Sequence, residues 1–210
     1  MNQTVFIVDD DAAIRDALSQ LLEAAGLQVE TYSDGRAFLD AYGEDRSGCL
    51  LLDMTMPGMT GLEVQAALRA RGQAIPVVFL TGHGDIPMAV RTLQAGAVDF
   101  LEKPIQGALL LERVRRALRL DQEWRQTQGR TQAIRQRHAR LSAREREVMA
   151  LAVSGLTCKE IAQKLGISPR TIEVHRTHVM HKMGAANLAE LVNMAACCTS
   201  DTPPLHAPTT

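Results

Sequence analysis

The feature that most constrains this chain is a rhythm in its first 120 residues. Short apolar runs at 5–8, 27–31, 50–52, 77–80 and 98–101 alternate with helical patterns near 12–25, 34–43, 61–71, 86–95 and 106–120. Strands that alternate with helices of this length build βαβ units and a parallel sheet. The runs at 50–52 and 77–80 carry no polar alternation, which fits strands covered on both faces. An α/β domain with a doubly wound, five-stranded parallel sheet is therefore expected over 1–120.

Residues 121–140 break the rhythm. Gln and Arg dominate, Trp124 and Ile134 are the only large apolar residues, and Gly129 weakens a helix. This stretch reads as a polar linker, helical in part. Residues 141–198 read as a compact helical domain, and the Pro/Thr-rich tail 199–210 as disordered. Charge divides along the same line. Residues 1–120 hold 11 Lys+Arg against 16 Asp+Glu, whereas 121–210 hold 12 against 8 and five of the six histidines. An acidic first domain and a basic second one suggest different partners.

Several classes are set aside. No apolar run approaches the roughly 20 residues that span a bilayer, so no membrane partner is expected. The start lacks a basic segment and turns acidic by Asp9, unlike a signal peptide. Cys49, Cys158, Cys197 and Cys198 form no CxxC pair, which points to a reduced, cytoplasmic setting. Aromatics are 3%, so stacking bases on aromatic platforms is not expected.

Asp9, Asp10, Asp53, Thr81 and Lys103 each lie at, or within two residues of, the carboxyl end of an expected strand. In an open parallel sheet those ends line one ligand crevice. Three carboxylates in one crevice need compensating positive charge. Mg²⁺, with its preference for oxygen ligands, supplies it. Lys103 adds a mobile cation and Thr81 a hydroxyl. Such a set suits a phosphoryl group, whose transfer depends on positioning and electrostatics. A carboxylate can itself be the nucleophile.

The segments IVDDD at 7–11, LLLDMTMPGMTG at 50–61, VVFLTGHGD at 77–85 and AVDFLEKP at 97–104 resemble the response-regulator receiver family of two-component signalling. The resemblance covers about residues 1–120. It implies the strand order 2-1-3-4-5 and makes Asp53 the phospho-acceptor. It places Asp9, Asp10, Asp53 and the Thr55 backbone carbonyl around Mg²⁺, and sets Thr81 and Lys103 on the phosphoryl oxygens. Thr81 and Phe100 then stand at the switch positions, and Lys103-Pro104 is a peptide that is usually cis.

Residues 141–196 carry clear helix punctuation. Ser142/Glu145 and Thr157/Glu160 are capping boxes, Ser168-Pro169 is an N-cap followed by Pro, and Gly155, Gly166 and Gly184 end helices. Four helices result. The short second helix and longer third form a helix-turn-helix. Phased at 100° per residue, Ile172, Arg176, Val179 and Met183 share one face of the third. Arg170, Val174, Thr177 and His181 lie opposite, with Glu173 and His178 beside them. An outward Val174 next to Arg170 and Thr177 suits base edges, with its methyls near a thymine methyl. Lys159, Arg176 and Lys182 are candidate phosphate contacts.

The stretch LSAREREVMALAVSGLTCKEIAQKLGISPRTIEVHRTHVMHKM at 141–183 resembles the LuxR-type helix-turn-helix of the NarL/FixJ regulators, and with GHGDIPMAVR at 82–91 the chain looks most like the FixJ subgroup. The expected DNA-binding set is Lys159, Arg170, Thr171, Glu173, Val174, Arg176, Thr177 and Lys182. The resemblance implies a cytoplasmic transcription regulator, an activator by family habit. Its expected partners are a sensor histidine kinase, double-stranded promoter DNA and, as a further candidate, RNA polymerase. A homodimer on phosphorylation is expected through the helix near 86–95, the strand at 98–101 and the helix at 106–120. No turnover on an external substrate is expected. Two other readings stay open: a constitutive DNA binder with an unused receiver, and a phosphotransferase or phosphatase on a receiver-like fold.

Overall fold

The computed structural model describes residues 3–43, 45–82 and 96–199. The helix expected near 86–95 and the tail from Ser200 lie outside the described residues. The chain divides into two compact units, the first running to Arg125 and the second starting at Gln126.

The first unit holds β1 (Thr4–Val8), β2 (Gln28–Tyr32), β3 (Gly48–Asp53), β4 (Val77–Thr81) and β5 (Asp99–Glu102). They form one parallel sheet in the order β2-β1-β3-β4-β5, as expected. Helices α1 (Ala12–Ala24), α2 (Gly35–Ala41), α3 (Gly61–Ala70) and the first part of α4 (Gly107–Ala139) accompany it. Their starts follow from local chemistry. Asp11 and Asp34 accept amide hydrogens at the heads of α1 and α2, and Thr60 and Glu63 close a capping box on α3.

Alternate residues of each strand serve opposite cores. Phe6, Val8, Leu50, Leu52 and Phe79 pack with Phe38, Leu39, Val64 and Leu68 of α2 and α3. Val5, Ile7, Cys49, Leu51, Val78 and Leu80 pack with Leu18 and Leu22 of α1 and Leu110 and Val114 of α4. Both faces of the sheet are covered, which is why its central strands read as unbroken apolar runs.

Residues 121–140 contain more structure than their composition suggested, because α4 is continuous to Ala139. Asp121 is 1% exposed; its carboxylate accepts the Gly48 amide at 2.9 Å and Gln3 Nε2 at 3.4 Å. Arg125 donates back to Asp121 at 2.9 Å and to the Arg46 carbonyl. These contacts, and burial of Ile134 in the second unit, anchor a stretch whose composition shows only polarity. Gly129 is tolerated inside the helix at a cost of about 1 kcal/mol. Gly48 is not replaceable in the same way. Its φ is +148°, and a Cβ there would stand 1.7 Å from the Thr4 carbonyl oxygen.

The second unit contains α5 (Ala143–Val153), α6 (Cys158–Leu165), α7 (Pro169–Met183) and α8 (Leu188–Thr199). Both expected capping boxes form. Ser168 caps α7, Pro169 opens it, and left-handed Gly166 and Gly184 end α6 and α7. Val148, Ala152, Ile161, Ala162 and Ile172 form one core, while Ile134, Leu141, Met149, Val179, Met183, Leu191 and Met194 form another.

Candidate functional site

The strand ends bring the expected residues together in the first unit. Asp53 closes β3, Thr81 closes β4, Asp9 follows β1 and Lys103 follows β5. Asp9, Asp53 and Thr81 are buried, at 1%, 5% and 3% exposure. Lys103 Nζ stands 2.6 Å from Asp53 Oδ1 and 2.7 Å from Asp9 Oδ2. The Thr55 amide donates to Asp53 Oδ2 at 2.8 Å, and the Asp11 amide to Asp9 Oδ1 at 3.0 Å. The Lys103 amide donates to the Thr81 carbonyl at 2.7 Å, tying β5's exit to β4's end. The Lys103-Pro104 peptide is cis. Phe100 is half-buried against the α2–α3 core.

Charge at this crevice is unevenly balanced. Burial pushes the Asp53 carboxyl above its ordinary range, against the pull of Lys103 and the Thr55 amide. For Lys103 burial acts to depress the ammonium, but its hydrogen bonds to Asp53 and Asp9 outweigh it and hold its pKa up. Among the described residues no three Asp, Glu, His or Cys side chains stand together as a metal centre. The Lys103 ammonium lies between Asp9 and Asp53, while Asp10 faces solvent. In donor type the set still fits a hard cation. Three carboxylates against one ammonium leave two negative charges and only oxygen ligands.

In the second unit the phasing of α7 holds. Ile172, Val179 and Met183 are buried, whereas Arg170, Thr171, Glu173, Thr177 and His181 are exposed and Val174 is 48% exposed. Lys159 is exposed on the first turn of α6. The Thr177 hydroxyl donates to the Glu173 carbonyl at 2.9 Å, so it offers lone pairs outward. Thr171 engages Ser168 at the head of the helix.

Two residues expected at DNA phosphates also have internal partners. Arg176 is half-buried and directs its guanidinium to Cys158 Sγ, 3.2 Å away on α6. Lys182 Nζ lies 2.7 Å from Glu145 Oε2 on α5. Hydrogen bonds from Lys182 and then Ser142 pull the Glu145 carboxyl down to about 2. Arg137, outside the expected domain, donates to the Met183 carbonyl at 3.0 Å and caps the end of α7.

Comparison with known proteins covers both units. Residues 5–115 match the response regulator receiver domain, and residues 139–195 match the bacterial regulatory proteins of the luxR family. The chain is 48% identical over 192 residues to the transcriptional regulatory protein FixJ of Azorhizobium caulinodans, covering 91% of this chain and 90% of FixJ. It is 41% identical over 190 residues to the response regulator protein TodT of Pseudomonas putida, covering 90% of this chain and 84% of TodT. The solved structure of the response regulator StyR superposes with a TM-score of 0.84 at 43% identity, covering 93% of this chain and 99% of StyR. Full-length FixJ from B. japonicum gives 0.57 at 43% identity, covering 93% and 97%. No helix among the described residues is long and apolar enough to cross a membrane. Both domains occur here in the order they take in these relatives, so the chain belongs to the FixJ/NarL family of two-component response regulators, in which a receiver precedes a LuxR-type DNA-binding domain.

Proposed function

We propose that the protein is a phosphorylation-dependent transcription regulator, acting in the cytoplasm, whose Asp53 accepts a phosphoryl group from a partner sensor histidine kinase. The observation that carries this reading is Lys103 Nζ within 2.7 Å of both Asp9 and Asp53 at the strand ends. An Asp53 oxygen attacks the phosphorus of the phosphohistidine. The P–N bond breaks as the P–O bond forms, and the departing imidazole nitrogen takes up a proton. Lys103 then pairs with the phosphoryl oxygens, and Thr81 meets one of them with its hydroxyl. Asp9, Asp10, Asp53 and the Thr55 carbonyl would hold Mg²⁺, which when bound neutralises charge on the phosphoryl oxygens. Thr81 and Phe100 carry the change to the surface.

The output is promoter binding. Arg170, Thr171, Glu173, Val174 and Thr177 face base edges, and Lys159 faces a phosphate. With their internal partners, Arg176 and Lys182 act mainly by holding α7 against α6 and α5. Phosphorylation favours a homodimer, which places two second units on two half-sites and raises the effective concentration of one once the other is bound. Activation through RNA polymerase is the output that the resemblance to activators favours.

Labelling with acetyl phosphate, with and without Asp53→Asn, tests the reading. A stable label lost in the variant is expected. Turnover of acetyl phosphate without a stable label would favour an enzyme, and no label a constitutive DNA binder.

A further inference from the structure

The outward side of α7 carries two histidines that the base-reading set leaves unused. His178 and His181 are exposed, and neither side chain has a hydrogen-bond or ion-pair partner among the described residues. We propose that His178 and His181 are proton-dependent contacts to DNA phosphates, so that the second unit grips a duplex more tightly when they are charged. The inference rests on the DNA-binding reading given above.

The fixed charges of α7 carry the argument. A duplex is a polyanion, and cationic side chains supply the affinity that does not depend on sequence. α7 holds three such side chains, Arg170, Arg176 and Lys182, and one carboxylate, Glu173. Arg176 is turned to Cys158 and Lys182 to Glu145. Arg170 and Glu173 remain, and together they leave the outward side without net fixed charge. Protons on His178 and His181 add two positive charges there. The helix aimed at a polyanion therefore draws its net charge from protons.

Position agrees with this. At 3.6 residues per turn, His181 continues the stripe of Arg170, Val174 and Thr177 by one further turn, with His178 beside it. His181 lies in the last turn of α7, where the carbonyl end of a helix favours a cation.

The charged groups of the packed elements are engaged elsewhere or face solvent. Glu145 of α5 holds Lys182, and Arg144 holds Glu147. On α6, Glu160 closes on Thr157, while Lys159 and Lys164 are exposed. Arg137 of α4 sits on the Met183 carbonyl, and Glu190 of α8 on the Ala186 amide. None of these forms a hydrogen bond or ion pair with His178 or His181. On α7 itself, half-buried His175 stands one turn before His178, and Lys182 adjoins His181. Lys182 opposes a second cation, but Glu145 compensates its charge.

Histidine ordinarily titrates near 6.5, inside the physiological range. A phosphate in contact favours the charged imidazole and raises that value in the complex. Binding therefore takes up protons. The added affinity is complete at pH below the free value and is lost as pH rises through the raised one.

The full, unphosphorylated chain is titrated against a random-sequence duplex at several salt concentrations, at pH 6 and at pH 8. A random duplex reports phosphate contacts without requiring the operator. The slope of log affinity against log salt should steepen by about one to two from pH 8 to pH 6, because each phosphate contact adds about 0.9. His178→Gln with His181→Gln should remove the difference between the two pH values. His178→Lys with His181→Lys should keep the steeper slope at both, with circular dichroism confirming the fold of each variant. Equal slopes at both pH values in the unaltered chain overturn the proposal, as does a difference that survives the glutamine substitutions. Binding that ignores pH overturns this inference alone. Failure of the unaltered chain and the lysine variant alike to bind the duplex at low salt overturns the DNA-binding reading with it.

Discussion

Lys182 on α7 and Glu145 on α5 form an ion pair at 2.7 Å, with the Glu145 side chain 5% exposed and that of Lys182 41% exposed. The same carboxylate closes the capping box of α5 by accepting the Ser142 amide at 2.7 Å. One side chain therefore starts one helix and fastens another.

That arrangement makes the second unit acid-sensitive. Folded, the Glu145 carboxyl lies at about 2 against an ordinary 4.5, so the folded state favours the ionised form. The stabilisation is complete above pH 4.5 and fades as pH falls toward 2. Glu145→Gln should cost about 1–3 kcal/mol at neutral pH and flatten this part of the profile. Thermal melts from neutral to acidic pH check it. Lys182→Ala should lower the melting temperature while changing the salt dependence of DNA binding by well under one phosphate contact, where a phosphate-paired lysine would change it by about one.

The crevice makes a second prediction. Asp10→Asn should weaken Mg²⁺ by at least about tenfold, in the range seen when even an outer partner of a metal ligand is lost. Labelling by acetyl phosphate should slow in parallel and recover at high Mg²⁺. Labelling unchanged at limiting Mg²⁺ would remove Asp10 from the site.

Val174 is 48% exposed, so its removal should leave stability alone. Val174→Ala is expected to lower the ratio of specific to random DNA binding by roughly tenfold, from the lost apolar contact. Parallel titrations on operator and scrambled duplexes measure it. Equal weakening on both would place Val174 away from the bases.

The second unit should need residues before 140. A fragment of residues 126–199 keeps Ile134 in the core and Arg137 on the Met183 carbonyl. One of residues 140–199 loses both and should be less stable by about 2–4 kcal/mol, the range for deleting a buried aliphatic side chain. Denaturant unfolding compares them. On a single half-site the longer fragment should bind as the unphosphorylated full chain does; clearly tighter binding by the fragment would establish inhibition by the receiver in place of dimerisation.

Gly129 sits in α4 in open space, where an added Cβ would meet nothing within 4 Å. Gly129→Ala should stabilise the helix by about 0.5–1 kcal/mol. A rise in helical circular dichroism and melting temperature is the readout.

The crevice was legible because a parallel sheet puts all its carboxyl ends on one side, so Asp9, Asp53, Thr81 and Lys103 needed only strand boundaries to be placed. The helices of the second unit were legible because Ser142/Glu145 and Thr157/Glu160 act over three residues. Partners distant in sequence were not. Lys182 and Glu145 are 37 positions apart, and nothing in either neighbourhood distinguishes an ion-paired lysine from one facing a phosphate. Composition also misled over 121–140, where Gly129 and the Gln/Arg excess concealed Asp121 and Arg125, spaced four apart as a helical pair. That spacing was the one local signal available.

The hydrogen bond from Gly48 to Asp121 sets where this chain can be cut and rejoined. A chimera that takes its receiver from another protein but keeps α4 from residue 121 onward inherits a carboxylate shaped to a strand it no longer meets. One that leaves Asp121 behind strips the head of β3 of its acceptor, at a glycine whose backbone no other residue can copy. Junctions placed after Arg125 carry the strand, its clasp and the carboxylate crevice at its far end as one inheritable part.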